Sequence, residues 1–103
     1  MAKVTIDAGI CGYTTVVNTH MDGDDCVVEI TGGCDDMKKL AKELTRVDPF
    51  GEISFRGAGP LTLQLLAKQC KHPACPVGAG IIKAVEVAAG LALPKDASIK
   101  VEE

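Results

Sequence analysis

Three β-branched segments broken by tight-turn signals come first in this chain, and helical periodicities bounded by proline and glycine follow. That order predicts an α+β fold: a mainly antiparallel sheet of four to five strands with three helices packed on one face. At 103 residues the chain is read as a single domain, 1–103, large enough to bury a core of its own. Aromatic residues make up only 3% and tryptophan is absent, so Val, Ile, Leu and Ala must fill that core.

Residues 3–6 form a short strand with Val4 and Ile6 on one face. Residues 13–19 are the second strand, and Asp22-Gly23 marks a hairpin into the third, residues 26–31. In the third strand Cys26, Val28 and Ile30 share a face, which makes Cys26 a core residue. The period then becomes helical over residues 35–47, with Met37, Leu40, Ala41, Leu44 and Val47 on one side. Asp35 and Asp36 suit the first turn of that helix, and Pro49 stops it. A further short strand is expected at 51–57. A well-buried leucine-rich helix follows over 61–69, and a third helix runs from Pro76 to about Ala89. Residues 97–103 alternate like a closing strand.

The net charge of −3, the lack of a basic stripe and the shortage of stacking aromatics argue against nucleic-acid binding. The apolar run over 77–93 carries Lys83 and Glu86 and is too short for a membrane span. MAKVTIDAG enters a strand pattern with no apolar signal region, so the expected location is cytoplasmic. Asp24-Asp25, Asp35-Asp36 and Glu102-Glu103 read as turn, helix-start and tail charges rather than catalytic pairs. FRGAGP lacks the strand, helix and lysine of a phosphate-binding loop.

The chemistry-bearing residues are the cysteines at 11, 26, 34, 70 and 75. An odd count in a reducing compartment argues against a disulfide framework. If the first three strands form a meander, Cys11 in the first turn and Cys34 after the third strand meet at one edge of the sheet. Whether Cys70 and Cys75 join them depends on the crossing at residues 48–60. If they do, Cys11, Cys34, Cys70 and Cys75 form a four-thiolate set suited to an iron–sulfur cluster or zinc, with His72 as an auxiliary ligand. Gly9, Gly12, Gly32 and Gly33 would let the backbone approach such a group, although turns need glycine as well. His20 has no acidic or thiol neighbour that recommends it. An alternative rests on Cys75 as the N-cap before Pro76, where free amides and the helix dipole favour thiolate; Cys75 then carries sulfur or exchanges electrons with Cys70. A third reading leaves the cysteines unoccupied. It uses the nearly all-apolar third helix as a partner surface, for a homodimer or another protein.

The segment CPVGAGIIKAVEVAAGLALPKDASIKVE resembles the Cys-Pro-x-Pro motif of small sulfur-carrier proteins, with Gly78 where that motif has its second proline. The resemblance implies a cysteine that starts a helix bearing a lysine, with a strand after it. Over most of its length the chain is also similar to small uncharacterised cysteine-containing proteins of anaerobic prokaryotes. That similarity implies no particular activity.

Overall fold

In the computed structural model, which describes residues 1–103, four strands form one antiparallel sheet in the order β1-β2-β3-β4. The strands are β1 (Ala2–Asp7), β2 (Thr14–Asp22), β3 (Asp25–Gly32) and β4 (Arg46–Val47). Around them lie α1 (Asp35–Glu43), α2 (Pro49–Glu52), α3 (Leu61–Gln69) and α4 (Val77–Ala88). The α+β expectation is met, with a single extra turn of helix.

The meander follows the period-2 pattern. Ile6, Thr15, Val17, Thr19, Cys26, Val28 and Ile30 are buried on the helix side. Their neighbours Lys3, Thr5, His20, Glu29 and Thr31 are exposed on the other side. Gly23, at positive φ, makes the turn that pairs Asp22 with Asp25. Cys26 is fully buried, as its alternation requires, and burial pushes its thiol pKa up.

α4 is the central helix. Val77, Ile81, Ala84 and Val85 are buried, and the two small residues of its first turns set the packing distance. A Cβ on Gly80 would come to 2.5 Å from Ile6 Cδ1, and one on Gly78 to 2.5 Å from Leu66 Cδ1. Further along, the Thr19 hydroxyl donates to the Ala84 carbonyl at 2.8 Å. Ile6 pairs with Thr15 and Ala2 with Thr19, so α4 runs along β2 in the same direction. The start of α4 therefore lies at the end of the sheet that holds the β1–β2 turn.

Four local expectations are corrected. The helix at 35–47 ends at Glu43, because Leu44 and Val47 reach the core by a different route. The Leu44 amide closes the helix on the Leu40 carbonyl, the Thr45 carbonyl accepts from the Val28 amide, and Val47 pairs with Cys26 in β4. Residues 51–57 contain no strand: Asp48 caps the single turn of α2, and a loop follows. α3 is only partly buried, with Leu61 exposed and only Thr62 fully enclosed. Residues 97–103 form no strand and are exposed.

Candidate functional site: a thiol cluster at one end of the sheet

The residues nearest Cys11 and Cys34 are tied together by backbone. The Ala8 amide donates to the Tyr13 carbonyl at 3.1 Å, and Gly12 donates to Gly9 at 2.9 Å, closing the turn that carries Cys11. Gly32 pairs with Thr15, and the Gly33 amide donates to the Thr14 carbonyl at 3.0 Å. Cys34 follows as the N-cap of α1, half-buried against the core. Thr14 and Thr15 thus link the turn of Cys11 to the exit of β3, as meander geometry requires.

Gly32 and Gly33 both sit at positive φ, and a Cβ on Gly33 would strike Met37 Cβ at 2.8 Å. Close backbone packing at the start of α1 is therefore sufficient reason for that pair. The Gly9, Gly12 and Gly33 amides already donate within the protein.

Cys70 and Cys75 reach the same end through the helices. A buried carboxylate fixes where α3 begins: Glu52, 3% exposed, accepts the Leu61 amide at 2.7 Å, the Thr62 amide at 2.9 Å and the Thr62 hydroxyl. Residues 48–60 are thus a compact excursion closed by Glu52. From there α3 packs on both α1 and α4. Its Leu63 and Leu66 adjoin Gly78, and Lys68 and Gln69 reach Glu43. The His72 carbonyl then gathers the turn, accepting the Cys70 thiol at 3.7 Å and the Cys75 amide at 3.2 Å.

Burial raises the thiol pKa of Cys75, the nearby Val77 amide works against that, and ionisation of Cys70, Cys11 or Cys34 would raise it further. Cys26 stays apart from these cysteines, in the core. The expectation of a poised thiolate at Cys75 is corrected on two counts. Pro76, not Cys75, is the N-cap of α4, and desolvation outweighs the amide.

Cys70 and Cys75 line a groove of about 500 Å³ with Leu63, Leu66, Gly78 and His72. The His72 side chain is exposed on its rim. As arranged, no three His, Cys, Asp or Glu side chains stand close enough to one point to hold a metal ion. Cys11 is exposed in its turn, whereas Cys34, Cys70 and Cys75 are half-buried. No helix is long and apolar enough to cross a membrane.

Sequence reading missed Glu52. A carboxylate in a four-residue helix has no nearby pattern to announce it, since its partners lie about ten residues away and only folding brings them within reach.

Fold and site together define an antiparallel α+β domain with a thiol-rich end. The chain belongs to DUF6951, a family of unknown function, which it matches over residues 2–101. Neither the curated proteins nor the solved structures provide a match.

Proposed function

We propose that this domain binds a thiophilic metal ion, zinc or the iron of an iron–sulfur cluster, through Cys11, Cys34, Cys70 and Cys75. The observation that carries the reading is geometric: the turn of Cys11 and the N-cap Cys34 are tied together through Thr14 and Thr15, and Cys70 and Cys75 share one groove where α4 begins. Thiolates gathered at one end of the sheet would repel one another, and a bound cation would neutralise them as it takes the place of their protons. Soft thiolate donors suit zinc and iron–sulfur iron above hard cations. The Val77 amide would continue to donate to the Cys75 sulfur, the kind of contact that tunes a bound metal. His72, exposed beside Cys70 and Cys75, is the auxiliary ligand.

The test is anaerobic purification followed by metal and acid-labile sulfide analysis, a visible spectrum, and titration of the apoprotein with Co(II). Stoichiometric metal with thiolate-to-metal charge-transfer absorption is expected, lost in Cys34→Ser and Cys75→Ser and retained in Cys26→Ala. Colourless protein that takes up neither metal nor sulfide would sink the proposal. The groove shared by Cys70 and Cys75 favours one second reading, thiol exchange between that pair. Alkylation rates against pH separate the two, because exchange needs a Cys75 that reacts well before Cys26.

A further inference from the structure

The segment after α4 has the composition of a strand and no strand partner. Ala92, Leu93, Lys95 and Asp96 line a shallow pocket together with Lys83, Glu86 and Val87 of α4. Beyond them the chain takes no backbone hydrogen bond from its own domain, and Ile99 and Val101 are 82% and 89% exposed. The longest dimension of the chain, 43 Å against 28 and 25 Å, shows how elongated the molecule is. At the opposite side of the fold's accounting is β1, six residues long, hydrogen-bonded to β2 on one side only and therefore a free edge.

We propose that residues 98–102 add as an antiparallel strand to the β1 edge of a second copy of this chain, reciprocally, giving a two-fold dimer. Side-chain alternation and charge select this pairing. With Ile99 opposite Ile6, Val101 falls opposite Val4, and both apolar residues extend the buried row of the sheet. In the same register Lys100 faces Thr5 and Glu102 faces Lys3, an opposite-charge cross-strand pair. The parallel alternatives are worse. Setting Ile99 beside Val4 and Val101 beside Ile6 brings Glu102 to Asp7, and shifting by two residues brings Lys100 to Lys3. Glu102 now pairs only with its exposed neighbour Lys100, at 2.8 Å, so its transfer to Lys3 breaks no buried contact.

Reciprocal exchange satisfies both free edges and closes the assembly at two copies. The other edge of the sheet does not compete. β4 has two residues, and Arg46 there is engaged by Asp22 and Asp25.

Sedimentation equilibrium of the full chain, with amide hydrogen exchange, tests the proposal. A species of twice the 10.7 kDa chain mass is expected, with slowed exchange at residues 3–7 and 98–102 in the dimer. Lys3→Glu should weaken dimerisation by about tenfold, and the double variant Lys3→Glu/Glu102→Lys should restore it. Both residues are exposed in the single chain, so circular dichroism of either variant should match the parent. A monomer at every concentration overturns the proposal, whether its tail amides exchange freely or are protected by pairing with their own β1. A dimer insensitive to the charge exchange, with a freely exchanging tail, overturns it equally and assigns the contact to another surface.

Discussion

Glu52 and Cys75 stand beside the starts of two neighbouring helices, and the protein treats them in opposite ways. The Glu52 carboxylate is buried and fully answered by two backbone amides and a hydroxyl at the beginning of α3. The Cys75 sulfur, before α4, is half-buried, and burial opposes its ionisation more than the nearby Val77 amide favours it. A helix start favours an anion in both places. One arrangement is complete within the chain, and the other leaves a half-buried sulfur whose thiol pKa is held up by burial.

Breaking the complete arrangement should have the largest effect. Glu52→Ala leaves the Leu61 and Thr62 donors buried without an acceptor and should cost about 3 kcal/mol in urea unfolding. Equal stability in this variant would remove the contrast at once. Next comes the packing that holds α4 over the sheet. Gly80→Ala places a methyl 2.5 Å from Ile6 Cδ1 and should cost about 2 kcal/mol, because Ile6 is enclosed and cannot swing aside cheaply. Cys75→Ala, by comparison, should cost under about 1 kcal/mol, since it removes a half-buried thiol with a single amide partner. A loss as large as that of Glu52→Ala would make Cys75 a structural group.

The smallest effect sharpens the comparison through pH. A raised thiol pKa means the folded state holds its proton longer than the unfolded state. The stability linked to Cys75 is therefore fully present below the unfolded thiol value, roughly pH 8.5, and is lost as pH rises through the folded value. Cys26 shifts in the same direction through burial, so the Cys75→Ala variant should retain part of the alkaline loss of stability. Denaturant titrations between neutral and alkaline pH measure the difference. A Cys75→Ala protein with the same pH profile as the parent would show that Cys75 loses its proton alike in the folded and unfolded chain.

Much of the fold was legible because burial on one face of a sheet leaves a mark of period two. Cys26, Val28 and Ile30 announced both their strand and their orientation, and Asp22-Gly23 announced the turn before them. α3 and α4 were legible from their apolar runs and the prolines that precede them. Leu44 and Val47 misled because their spacing continues the helical period, while the core takes them from a bend and a two-residue strand. Ile99 and Val101 have the alternation of a strand, but alternation does not provide a neighbouring strand to bond.

The candidate site divides in the same way. That Cys11 and Cys34 approach one another follows from antiparallel order, since a meander returns every second turn to the same end. That Cys70 and Cys75 join them depended on the direction of α4 along β2, fixed by Gly80 against Ile6 and Thr19 against Ala84, and on the Glu52 closure that starts α3. The pKa of Cys75 was likewise undecided by its Cys-Pro context, because desolvation in the folded chain exceeds the pull of one amide. The sequence by itself determined the sheet, its inward face and which cysteine belongs to the core, since these depend on local periodicity. Only the tertiary structure decided which end of the sheet Cys70 and Cys75 reach, because that depends on contacts between residues far apart in the chain.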